Sequence, residues 1–146
     1  MDTRLHPIGV IRSQLRSRAE CPKQGPEGAP DAWLELKKEY ASAAGGLAIG
    51  DQVVLLTWLH QANRQTQRVR PRNNPSAQLT GVFATRSPDR PNPIGLHEVE
   101  ILELDGTRLR VQPLEVVDGT PVVDIKPVLS CQPASKTKPR KRQTVR

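Results

Sequence analysis

The stretch HEVEILELDGTRLRVQPLEVV, His97 to Val117, reads as two extended segments joined by a tight turn. Apolar and charged residues alternate on either side of Asp105-Gly106-Thr107, with the period of two that a half-buried strand requires. The DGT turn supplies the positive backbone angles of a short hairpin connection. Val99 and Ile101 fall on one phase, Leu102 and Leu104 on the other, so a β-bulge is predicted near Ile101.

Working outward, HPIGVIR (His6–Arg12) reads as a first strand and AWLELK as another alternating one. DQVVLLTWLH (Asp51–His60) is continuously apolar and β-branched, which predicts a strand buried on both faces. LTGVFATR is a further strand candidate. KEYASAAGGL predicts a turn or two of helix stopped by Gly45-Gly46, and the Pro- and Gly-rich CPKQGPEGAP must be a loop. NRQTQRVRPRNNP is a polar, arginine-rich excursion, and VDGTPVVDIKP closes the folded part. Many short strands with little helix predict a mainly β fold, a small single-domain antiparallel β-barrel with one or two short helices. No GxGxxG follows a strand and strands do not alternate regularly with helices, which argues against a Rossmann-type fold.

At 146 residues the chain is long enough for one domain with a real core. With two Trp, one Tyr and one Phe, that core must be mostly Val, Leu, Ile and Ala. MDTRLHPIGVIR lacks the apolar segment of a signal peptide, and VVLL (Val53–Leu56) is far too short to span a bilayer, so a cytoplasmic protein is expected. Cys21 and Cys131 have no metal-like or redox-like spacing and read as reduced structural thiols. His6, His60 and His97 do not cluster, so no metal is predicted. The net charge of +7 is unevenly placed. KTKPRKRQTVR, residues 136–146, carries six basic residues, and without them 16 basic and 15 acidic residues remain, a net of +1. The folded domain is therefore expected over residues 1–130, with a disordered basic tail over 131–146. Such a tail is either merely solvated or also a tether for a polyanion, and the two readings are compatible.

Three polar clusters interrupt this pattern: Pro22-Lys23-Gln24; His60-Gln61 followed by Arg64, Arg68, Arg70 and Arg72; and Arg86, Arg90 and Asn92 with the later Asp118, Thr120, Asp124 and Lys126. Singly, each has a structural explanation, since Asn92 between prolines can cap a turn and Asp118-Gly119 is a common turn pair. Together they suggest a site, because proline-flanked loops hold polar side chains in fixed positions at little entropic cost.

The two longest of these segments, GVFATRSPDRPNPIGL (Gly81–Leu96) and VDGTPVVDIKP, resemble the signature of the TrmO/TsaA-like family, which includes YaeB and VirR. The resemblance runs from IGVIRS through PKQGP and TWLHQA to Pro127. It implies a small β-barrel that dimerises, binds S-adenosyl-L-methionine near the subunit interface, and methylates N6 of threonylcarbamoyladenosine beside the anticodon of tRNA. By matching motif, the cofactor contacts it implies are Pro22, Lys23, Gln24, His60, Gln61, Arg86, Leu96, Asp118, Gly119, Thr120 and Pro121. Arg86 suits the cofactor's carboxylate by forked hydrogen bonding, and Gly119 allows close backbone approach. Lys23 stands where arginine is frequent in the family, and His97 where a small hydroxylated residue is common. Val128 stands where an aromatic is common. Longer members carry a second C-terminal domain, in whose place this sequence has the basic tail.

The leading function is therefore an S-adenosylmethionine-dependent tRNA methyltransferase. Because a carbamoylated N6 is a poor nucleophile, a base or acceptor should assist, and His60, Asp118 and Asp124 are candidates. Arg64, Arg68, Arg70, Arg72 and Arg90 would grip the anticodon-arm phosphates. The alternative is a module that binds S-adenosylmethionine without methylating tRNA. A basic RNA-binding protein with no cofactor is a third reading, disfavoured by the shortage of aromatic stacking platforms.

Overall fold

The computed structural model describes residues 1–20 and 29–129. Pro22, Lys23, Gln24, both cysteines and the basic tail lie outside these residues. The strands are β1 (Gly9–Arg12), β2 (Ala32–Leu36), β3 (Gln52–Trp58), β4 (Arg68–Val69), β5 (Thr80–Gly81), β6 (Ile94–Asp105), β7 (Arg108–Gln112) and β8 (Pro121–Pro127). Six of them close into a barrel in the order β1-β2-β7-β6-β3-β8, every pair antiparallel, while β4 and β5 form a small ribbon of their own. Closure leaves no open sheet edge in the barrel. Among the described residues no helix is long and apolar enough to cross a membrane.

The expected hairpin is β6–β7, turning at Gly106 with φ of +62°. Its register shifts between Ile101 and Glu103, leaving Leu102 as the extra residue. The bulge resolves the phase conflict read from the sequence: Val99 and Ile101 point inward, and Leu104 beyond the bulge is exposed. A second shift, between Leu56 and Thr57 where β3 meets β8, has no comparable sequence signal. The expected helix at KEYASAAGGL is a 3-10 segment, Lys38–Ala44, with no buried residue.

Two expectations need correction. β3 is not buried on both faces; Val53, Leu55 and Thr57 are buried while Val54, Leu56 and Trp58 are half-buried on the outside. A barrel has one interior, so double burial would need a second layer over the outer face. LTGVFATR is not a barrel strand either. Only Thr80–Gly81 is extended, and Val82–Ala84 coils into a 3-10 turn closed by Thr85, whose N–H and hydroxyl both donate to the Val82 carbonyl.

The core gathers Ile11, Leu34, Val53, Leu55, Val99, Ile101, Leu109, Val111 and Val122 from the six barrel strands. Leu114 and Val116, between β7 and β8, complete it. Along β3 and β6 the inward phase changes character at one end. After Leu55 and Val99 it continues as Thr57, His97 and Gly95, so the barrel has a polar mouth. That mouth is where the site lies.

Candidate functional site

The chain leaves the mouth at Leu59 and returns at Pro93, and this connection forms a wall beside it. Little apolar area is available to hold the wall, because Val82 and Pro93 are its only buried residues. Side-chain hydrogen bonds do the holding instead. Arg90 donates to the carbonyls of Val82, Thr85 and Ser87 at 2.9, 3.1 and 2.9 Å. Arg64 donates to the Pro91 carbonyl (2.7 Å) and to Asn92 Oδ1 (3.1 Å), with its guanidinium 5.0 Å from the Trp58 ring centroid. Arg18 grips both oxygens of Asp89, which also accepts from the Asn63 N–H at 2.8 Å. Burial pushes the Asp89 carboxyl up, but the Asn63 amide and Arg18 outweigh it and the group lies below the usual carboxylate value. Arg72 and Asn73 have φ of 57° and 56°, a left-handed pair uncommon for an arginine, and both face the cleft.

Between wall and mouth is a cleft of about 340 Å³, a size that holds small ligands. His60, Gln61, Arg86, Leu96 and Thr120 line it, so five of the expected cofactor positions meet there from four separate places in the chain. Arg70, Arg72 and Arg90 from the expected RNA-binding group also line it, whereas Arg64 and Arg68 do not. Arg70 is tied to the Ala77 carbonyl at 2.8 Å. Arg86 is exposed and makes no hydrogen bond or ion pair among the described residues.

Asp118, Gly119 and Pro121 are near but outside the lining. Asp118 accepts from the Ser13 N–H and from Arg16 at 3.0 and 3.1 Å, tying the end of β1 to the turn before β8. Gly119 makes that turn with φ of +87° and donates its N–H to Ile11. Pro121 lines a second depression with Trp58 and with Ile94, which also lines the cleft. Asp124 pairs with Lys126 at 2.9 Å and does not face the cleft.

Among the cleft residues not singled out from the sequence are His97 and Glu115. His97, 6% exposed, bridges Thr57 Oγ1 and Glu115 Oε1, both at 2.8 Å. A Cβ on Gly95 would overlap Thr57 Oγ1 and His97 Nε2, so the glycine makes room for the pair. The only sequence signal was His97 itself, a titratable residue on the inward phase of a strand.

Residues 10–132 match the model of the tRNA-methyltransferase O N-terminal domain. The chain belongs to this family. Relatives of the N-terminal domain include an S-adenosyl-L-methionine-binding protein of Archaeoglobus fulgidus, 40% identical over 122 residues, covering 84% of this chain and 86% of that one. A "Probable S-adenosyl-L-methionine-binding protein" of Methanothermobacter thermautotrophicus is 43% identical over 126 residues, covering 86% and 90%. The crystal structure of TrmO from Pseudomonas aeruginosa superposes with a TM-score of 0.70 at 33% identity, covering 97% of this chain. This chain spans 61% of that structure's length.

Proposed function

We propose that the protein is an S-adenosylmethionine-dependent tRNA methyltransferase whose cofactor lies in the cleft at the barrel mouth. The carrying observation is the convergence of His60, Gln61, Arg86, Leu96 and Thr120 on one cleft of about 340 Å³. These are positions that the family resemblance assigns to the cofactor, and nothing in their sequence spacing requires them to meet. The relatives named for S-adenosyl-L-methionine binding support the same ligand.

The residues present fit that ligand. Arg86, with no partner among the described residues, is suited to the carboxylate of the methionine arm, and Leu96, 48% exposed, offers apolar surface to the adenine. Pro22, Lys23, Gln24, Asp118, Gly119 and Pro121 complete the proposed shell. When bound, the cofactor supplies an electrophilic methyl group, and the protein's task is alignment. His60, exposed at the cleft, is free to approach an incoming base. Asp118 and Asp124 are weaker candidates for accepting a proton, each being ion-paired away from the lining.

The proposed substrate is N6 of threonylcarbamoyladenosine beside the tRNA anticodon. Arg68, Arg70 and Arg72 lie on and beside the β4–β5 ribbon, the last two lining the cleft, and they are the proposed contacts to backbone phosphates. Arg64 and Arg90 act on the same surface indirectly, by shaping the wall. The protein is proposed to be a homodimer. On the outer face of β3 and β6, Leu56 pairs with Leu96 and Trp58 with Ile94, an apolar strip with Leu96 and Ile94 about half exposed. Light scattering at micromolar concentration should give twice the chain mass.

Nucleoside analysis of tRNA from cells with and without the protein tests the activity. Loss of a methyl group from threonylcarbamoyladenosine is expected, and identical nucleoside profiles would overturn it. Binding of S-adenosylmethionine without any methyl transfer to tRNA would leave the binding-module reading, which the names of the relatives also support.

A further inference from the structure

The cleft is lined by five arginines and two carboxylates, and most of these charges are already engaged. Asp89 holds Arg18 and the Asn63 amide, Arg90 holds three carbonyls, Arg70 holds one, and Arg72 has an interaction of its own. Two groups keep capacity. Arg86 makes no hydrogen bond or ion pair among the described residues, and Glu115 uses only Oε1, on His97.

We propose that Glu115, steered by His97, is the cation subsite of the cleft, facing the positively charged part of the methionine arm while Arg86 takes its carboxylate. The inference rests on the cleft being the S-adenosylmethionine site. That ligand carries a sulfonium and an ammonium beside one carboxylate, so a cleft offering only arginines would repel it on balance. One acceptor and one cation without a partner among the described residues, brought from different segments, are the complement of such a zwitterionic arm.

Glu115 is built to point there. Its neighbours Leu114 and Val116 are both buried in the core, which anchors the backbone on either side. An ionised carboxylate can only accept, so His97 Nδ1–H donates to Glu115 Oε1, and in the neutral imidazole Nε2 accepts from the Thr57 hydroxyl. Both ring nitrogens are thereby engaged, and the imidazole cannot turn without breaking two bonds inside the barrel. The missing side chain of Gly95 leaves the space this requires. Glu115 Oε2 has no protein donor among the described residues and is available to a ligand. His97 is thus a positioning residue for Glu115.

Calorimetric titration with S-adenosylmethionine and S-adenosylhomocysteine tests this, with ligand-free melting as the check on folding. Glu115→Gln should weaken S-adenosylmethionine roughly 10- to 100-fold, the loss of one charge-assisted contact. A smaller loss for S-adenosylhomocysteine, which lacks the sulfonium charge, assigns Glu115 to the sulfonium; equal losses assign it to the ammonium. His97→Ala should weaken binding similarly, and His97→Asn, which keeps a donor near the Nδ1 position, should restore much of it. Unchanged affinity in Glu115→Gln overturns the subsite, and if methyl transfer is lost at the same time, Glu115 accepts a proton instead. Wild-type protein that binds neither ligand would overturn the cofactor reading itself. If Glu115→Gln fails to fold, the His97 imidazole resonances of the wild type decide. They should shift on adding S-adenosylmethionine but not adenosine, and their indifference at saturation would refute the proposal.

Discussion

The barrel and the connection from Leu59 to Pro93 are held together by different forces. In the barrel, inward residues such as Leu55, Ile101 and Val111 are fully buried, and the removal of apolar area from water supplies most of the stability. In the connection, arginines are the struts: Arg90 spans three carbonyls, and Arg64 and Arg18 pin Pro91, Asn92 and Asp89. Burial is nearly directionless, whereas a hydrogen bond fixes where two atoms sit. The barrel therefore sets how stable the molecule is, and the wall sets where the cleft residues stand.

Leu55→Ala should show the largest effect, destabilising the fold by about 2–5 kcal/mol through lost burial and a residual cavity. Urea denaturation measures it, and cofactor affinity of the remaining folded fraction should be unaltered. A loss well under 1 kcal/mol would mean that the barrel is not held by its core as described.

Arg90→Ala should separate the two regions most sharply. It strands the Thr85 and Ser87 carbonyls and takes one of three donors from that of Val82, a local loss of about 1.5–3 kcal/mol, and should open residues 59–93 to limited proteolysis while the barrel still unfolds cooperatively. Arg90→Lys should not rescue, since one ammonium lacks the fork that reaches carbonyls on both sides. Unaltered proteolysis would erase the distinction between wall and barrel.

Arg86→Ala should do the reverse, leaving proteolysis and melting alone while weakening S-adenosylmethionine by about 1.5–3 kcal/mol. Calorimetric titration reads it, and wild-type affinity would remove Arg86 from the carboxylate role.

The smallest effect concerns acid. Asp89 has its folded value below the ordinary carboxylate value, so its ties to Asn63 and Arg18 contribute order above about pH 4 and lose it as pH falls through the lowered value. Arg18 is half exposed, so the contribution should stay below about 1 kcal/mol. Amide exchange in the wall should quicken at low pH in the wild type, and Asp89→Asn should already exchange faster at neutral pH with little further acid response. A wild-type wall indifferent to acid would show that Asp89 is not one of its supports.

What the sequence determined by itself follows from local physics. Side-chain alternation, the DGT turn and the phase conflict at Ile101 are all effects within a few residues, and the hairpin and its bulge were legible for that reason. The family signature, too, is contiguous, so residues from Arg86 to Leu96 could be singled out before any fold was known. Continuous apolarity at Val53–Leu56 misled, because periodicity cannot tell a doubly buried strand from one with an apolar outer face. VFATR misled in another way: a β-branched and aromatic run was diverted into a 3-10 turn by the hydrogen bonds of Thr85 and Arg90.

Only the tertiary structure decided which polar groups meet. Thr57, His97 and Glu115 are 40 and 18 residues apart in sequence, and their contact depends on strand register, where a slip of one residue would turn His97 to the outside. The same holds for the arginines. Composition could not distinguish a strut from a ligand-binding cation, because the difference lies in whether carbonyls stand within reach. Arg90 found three and Arg86 none among the described residues, a difference in surroundings, not in chemistry, that makes Arg86 the one proposed to bind the ligand.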